Sequence, residues 1–94
     1  MLYRILTENG VLPEKKMNHL IQHWFDSYTS YTAIGYWQGA KEQSLVIEIA
    51  TEDECSVVLL ADAIRKACLQ QSVMIQRIEC TLTMVNGGRI NARA

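Results

Sequence analysis

The sequence predicts an α+β fold with the element order β-α-β-β-α-β. Three observations carry that prediction. The stretch from Tyr31 to Thr51 reads as a long β-hairpin, an amphipathic helix pattern lies on either side of it, and a strand pattern lies towards each end of the chain. One hairpin arm carries Tyr31, Ile34, Tyr36 and Trp37, and the other alternates Leu45, Ile47 and Ile49 against Val46, Glu48 and Ala50. β-Branched and aromatic residues fill both arms, and the polar centre from Gln38 to Gln43, with its turn at Gly39-Ala40-Lys41, supplies the reversal.

Taken in order, Leu2 to Thr7 is a short strand. Glu8-Asn9-Gly10 then turns the chain, because Asn-Gly accepts positive φ at little cost. Pro13 suits the first turn of a helix, where its missing N–H costs nothing, and Glu14 beside it favours the positive helix end. Met17, Leu20, Ile21 and Trp24 recur at i, i+3, i+4 and i+7, a single apolar stripe, and the helix is expected to end near Asp26-Ser27.

The hairpin arms follow, from Tyr28 to Trp37 and from Gln43 to Thr51. Thr51-x-x-Glu54 has the form of a capping box for a second helix, whose stripe is Val57, Leu60, Ala61, Ile64 and Cys68. Gln70-Gln71-Ser72 ends it. From Val73 to Val85 the chain reads as a last strand, with Ile78, Cys80, Leu82 and Met84 alternating against Arg77, Glu79, Thr81 and Thr83. Residues 87–94 have no period and two adjacent glycines, so they read as a flexible tail after a single domain over 1–86.

This order is the split β-α-β, or ferredoxin-like, arrangement: a four-stranded antiparallel sheet with both helices on one face. Right-handed crossovers put strands 1 and 3 in the middle and leave strands 2 and 4 as edges. Leu45, Ile47 and Ile49 then face the helices. The other sheet face is left open, with Val46, Glu48 and Ala50 among its residues.

Composition narrows the function classes. The 94 residues suffice for one small core, and the net charge of -1 with scattered Lys and Arg argues against a phosphate-binding face. Nucleic acid is therefore not an expected partner. Charged residues make up 20%, below the usual quarter, which leaves apolar surface in excess of what a monomer needs. Cys55, Cys68 and Cys80 are an odd set without C-x-x-C spacing, so they are expected as free, small hydrophobes on helix and strand. The apolar run in MLYRILTENG is too short for a signal peptide or a membrane span. These features predict a reduced, cytoplasmic protein with no membrane contact and no cofactor.

With the hairpin placed, the run SYTAIGYWQGAKEQSLVIEI resembles the central hairpin of CutA-like members of the PII-type ferredoxin-like superfamily. Tyr36, Trp37, Gly39, Glu42, Leu45, Ile47 and Ile49 carry the likeness, over roughly twenty residues, on the W-x-G-x-x-E turn pattern. The cysteine usual in the strand after the first helix of that family has no counterpart between Ser27 and Thr32. No loop matches the nucleotide-contacting loops of the PII signalling proteins. What the resemblance implies is the fold and a trimer built by edge pairing of hairpins.

Each candidate site has a plainer reading beside it. His19 and His23, at i and i+4 on the first helix, could ligate a metal, although zinc needs a third ligand; the alternative is two solvated histidines. Tyr28, Tyr31, Tyr36 and Trp37 could stack bases, but strand 3, SLVIEI, lacks the aromatics of an RNA-recognition sheet. Packing or interface use is the preferred reading, because Trp and Tyr bury large area while keeping a polar handle. Glu42 lies near the turn, and Glu48, on the open face, is expected to pair with Arg4 or Arg77 across strands rather than act as a catalytic acid.

No nucleophile–base pair, metal cage or Gly-rich phosphate loop is visible, and ENGVLPEKK lacks the Arg that acylphosphatase chemistry needs after strand 1. The expectation is a non-enzymatic homo-oligomer, a trimer with a dimer as the alternative, binding a small ligand, a metal or a protein at subunit clefts. Tyr31, Tyr36, Trp37, Glu42 and Glu48 are its candidate ligand or interface residues. A structural or protein-interaction module without a small ligand is the other reading.

Overall fold

The structure, a computed structural model, describes residues 1–87. Six elements follow in the expected order: β1 (Leu2–Glu8), α1 (Glu14–Gln22), β2 (Thr29–Trp37), β3 (Ala40–Ala50), α2 (Glu54–Ala67) and β4 (Met74–Ile78). The four strands form one antiparallel sheet in the order β2-β3-β1-β4, with β3 and β1 central. This is the ferredoxin-like arrangement that the periodicities predict.

The pleat sorts the strands into two faces, because successive side chains point to opposite sides. On one face Tyr3 and Ile5 stand opposite Ile49 and Ile47, and these meet Met17 and Ile21 of α1 and Val57, Leu60, Ala61 and Ile64 of α2. Both helices therefore cover the same side. Ile5, Ile21, Ile47, Ile49, Val57, Leu60 and Ile64 are essentially inaccessible to solvent. Each such side chain contributes about 1.5–3 kcal/mol through removal from water. Cys68, which extends the α2 stripe, is also buried, and Trp24, Phe25, Tyr28 and Leu45 pack at the margins of the core.

Several boundaries differ from the sequence expectation, each for a local reason. Helix α1 stops at Gln22 rather than near Asp26, because the N–H groups of Trp24 and Phe25 both donate to the Ile21 carbonyl at 3.0 Å and close the last turn. The α2 cap is Asp53, not Thr51. Its carboxylate accepts from the Ser56 N–H at 3.0 Å and from the Ser56 hydroxyl at 2.6 Å. Thr51 is still held by the sheet, its N–H donating to the Met1 carbonyl at 3.0 Å, so the helix cannot begin there. The hairpin reverses at Gln38-Gly39, with Trp37 paired to Ala40; φ is 50° at Gln38 and 80° at Gly39. Positive φ at both positions is the type I′ turn, whose twist matches that of the strands it joins. Residues Ala40 to Gln43 therefore belong to β3, not to a loop.

The largest difference is at β4, which ends at Ile78 instead of Val85. The register explains it. β1 is assigned from Leu2, and Leu2 with Ile78 is the last pair between the two strands, so β4 ends where that ladder ends. Among the described residues, Glu79 to Gly87 have no strand pairing, although the alternating sequence continues to Met84, and all are exposed. Cys80 is consequently exposed, as is Cys55 at the start of α2, so Cys68 alone of the three behaves as a core residue. The flexible tail expected over residues 87–94 lies, apart from Gly87, outside the described residues. Among the described residues, no helix is long and apolar enough to cross a membrane.

Candidate functional site

Strand register brings part of the predicted set together on the open sheet face. Arg4 of β1 stands opposite Glu48 of β3. Its Nε donates to Glu48 Oε2 at 2.6 Å, and the Tyr31 hydroxyl of β2 donates to the same oxygen at 3.0 Å. The three side chains come from three adjacent strands, so one carboxylate ties β1, β3 and β2 across the face. The cross-strand ion pair expected for Glu48 is thus with Arg4. Arg77 instead faces the helix side, 3.6 Å from Glu54, whose carboxylate also accepts from the Tyr3 hydroxyl at 3.0 Å.

The electrostatics follow from these contacts. The hydrogen bond from Arg4, then that from Tyr31, holds the Glu48 carboxyl below the usual carboxylate range. The same contact raises Arg4, and the hydrogen bond to Glu48 pushes the Tyr31 phenol up. A carboxylate so saturated with donors is a poor general acid. It is a structural anion.

Between β3 and the strands beside it, Val46 lies under this network, opposite Leu6 on one side and Tyr31 on the other, and is buried despite belonging to the open face. Sequence alternation alone placed Val46 on an exposed face; the flanking side chains from the neighbouring strands remove it from water.

The hairpin projects beyond this network. Its register with β1 stops at Glu8 opposite Ser44, and a further bond, Asn9 N–H to the Gln43 carbonyl at 3.0 Å, ends the central ladder. Ile34, Tyr36 and Trp37 therefore stand on a two-stranded arm, exposed by 61%, 71% and 56%. Pairing puts Trp37 and Glu42 on the same side as Tyr31 and Glu48, and Ile34 and Tyr36 on the other. Glu42, opposite Gly35, is exposed. The five candidates thus fall into a hydrogen-bonded pair near the sheet centre and an aromatic arm at its end, not into one pocket.

The histidines are separate again. His19 and His23 are both exposed. His23 caps α1 and sets its ring edge-on to Trp24, with centroids 4.7 Å apart. His19 lines an open groove of about 860 Å³ with Leu12, Lys15, Lys16, Leu20 and Ala67. Among the described residues, no group of three or more His, Cys, Asp or Glu side chains could hold a metal ion. A second hollow of about 470 Å³ lies where Gly10 and Pro13 approach Thr32 and Leu45. Sequence reasoning missed the Tyr3–Glu54–Arg77 cluster: the β1–β4 register sets Tyr3 opposite Arg77, and Glu54 joins them from the start of α2.

Comparison with protein-family models gives no match, and comparison with curated proteins gives none either.

Proposed function

We propose that this chain is a small non-enzymatic binding domain of the CutA/PII-like kind that works as a homo-oligomer, a trimer by preference. Copies meet through the hairpin, and a small ligand, metal ion or protein partner is held in the clefts between them. The reduced cytoplasm suits its free cysteines. One observation carries the reading: a two-stranded arm with Ile34, Tyr36 and Trp37 exposed on its two sides. A two-stranded ribbon is marginal by itself in water, and exposed aromatic side chains on it gain most from burial against another chain. The W-x-G-x-x-E resemblance of the turn supports the same assignment.

Light scattering after size exclusion tests the assembly. A trimer is the expected mass, a dimer detaches the chain from the CutA-like kind, and a monomer overturns the proposal. Thermal-shift measurement on the oligomer, with divalent metals and small anions as probes, then tests the clefts. A ligand binding only the folded form raises Tm, whereas no shift with any probe leaves the hairpin as an assembly device alone.

A further inference from the structure

Helix α1 has its charges sorted between two hollows. Toward β2, Glu8 and Glu14 line the hollow of about 470 Å³. Where α1 passes the end of α2, Lys15, Lys16 and His19 line the groove of about 860 Å³, and among the described residues no carboxylate lines it.

The spacing along α1 accounts for this surface. Met17 and Ile21 turn into the core. Lys16 and Leu20, like Lys15 and His19, stand four residues apart and so are neighbours on the outside of the helix. Leu12 precedes the helix at the same end as the lysines. Leu12 and Leu20 are half-buried, while both lysines and His19 are exposed. The groove is bordered on the other side by Ala67, the last residue of α2, whose single methyl leaves the space open. Its lining is mostly apolar all the same: the lysines contribute CH2 stems beside Leu12, Leu20 and Ala67.

Lysines here do not serve the helix. They occupy its first turn, where the macrodipole is positive and favours anions, and Pro13 gives that turn no side-chain cap. Among the described residues neither lysine is in an ion pair, and residues 88–94 hold no Asp or Glu side chain to supply one. Arg65 and Lys66 of α2, by contrast, are both paired with Asp62. A chain of net charge -1 thus concentrates positive charge on the rim of an apolar groove.

We infer that this groove binds a free amphiphilic carboxylate, with its anionic head at Lys15 and Lys16 and its apolar chain along Leu12, Leu20 and Ala67. Small-molecule sites occupy roughly 300–1,000 Å³ and combine an apolar lining with a few polar groups that fix orientation. A neutral apolar molecule leaves the field of the lysines unused, and a bare anion gains nothing from the leucines. Two lysines are too few for an anionic membrane surface, which takes a polybasic cluster. The site belongs to one chain and is separate from the clefts between copies.

Titration of the isotope-labelled chain with decanoate, followed by NMR, tests it. The expected result is saturable shifts of the Leu12, Leu20 and Ala67 methyl signals with one decanoate per chain. Acetate should give no such shifts, and decanol should bind about tenfold more weakly. The Lys15→Glu, Lys16→Glu variant alters two exposed side chains; it should keep the wild-type Tm, while its decanoate affinity falls by roughly tenfold or more, as when charge-assisted contacts are lost. Ala67→Leu fills the groove with the charges unchanged and should weaken decanoate and decanol alike. Dilution that separates the copies should leave the affinity as it was. Absence of saturable shifts, shifts confined to the open sheet face or the arm, or an affinity indifferent to both lysines overturns the site. Binding lost on dilution also overturns it, and moves the ligand to the clefts between copies.

Discussion

Glu48 stands where two donors from neighbouring strands converge, and its chemistry follows from that count. Arg4 and Tyr31 both favour the ionised carboxylate, which places its folded-state pKa below the unfolded value of about 4.3. The stability it contributes is therefore fully present above that value and is lost as pH falls through the lower, folded one. Tyr31 has the opposite sign: a phenol raised by the same carboxylate contributes below its unfolded value of about 10 and loses that contribution as pH rises. Denaturant midpoints of wild type and Glu48→Gln, compared from pH 7 downward, should differ most near neutrality and converge as the pH falls beneath the ordinary carboxylate range. A gap that widens in acid would remove Glu48 from this role. Asp53 and Asp62, lowered by Ser56 and by Lys66 with Arg65 respectively, add to the same acid sensitivity. The facing of Glu48 was legible from alternation alone, because a charged residue between buried neighbours must face the other side. The choice of Arg4 over Arg77 was not, since that depends on which residue of β1 falls opposite Glu48.

At the scale of elements, the hairpin turn makes a sharper prediction than the strands. Gln38 holds φ at 50°, a left-handed conformation that costs a non-glycine residue about 1 kcal/mol, while Gly39 occupies 80° freely. Gln38→Asn should stabilise the turn by some tenths of a kcal/mol, since Asn-Gly is the preferred type I′ pair. Gly39→Ala should destabilise it by about 1 kcal/mol. Amide exchange at Trp37 and Ala40 reads both effects locally, and equal exchange in all three chains would show that the turn does not limit the arm. The elements themselves were readable because periods of 2 and 3.6 survive in single sequences: Ile47 and Ile49, or Val57, Leu60 and Ile64, announce their faces. Their ends were less so. Thr51 carries the residue type of a cap yet is held by Met1 across the sheet, and β4 stops where its pairing with β1 stops, at Leu2 and Ile78. Both limits are set by long-range partners, which local patterns do not encode.

For the whole molecule the decisive feature is that its two overhangs lie at opposite ends of the sheet, which contributes to a long axis of 54 Å against 28 and 25 Å. Residues 40–43, beyond the central ladder, extend the arm by about 13 Å at a strand's rise per residue. An arm of that length adds little to the core, because its side chains meet no helix. Trp37 is therefore separable from folding. It lies 56% exposed at the last pair of the hairpin, opposite Ala40, and its removal takes nothing from the cluster around Ile5 and Ile47. Trp37→Ala should lower the oligomer's mass or raise its dissociation constant by tenfold or more, the effect of losing about 1.4 kcal/mol at an interface. Its unfolding, followed at dilutions where wild type is also dissociated, should match wild type within about 0.5 kcal/mol. Sedimentation showing unchanged oligomers, together with a lower Tm, would instead mean that Trp37 folds back onto its own chain and that the arm is not the surface through which copies meet.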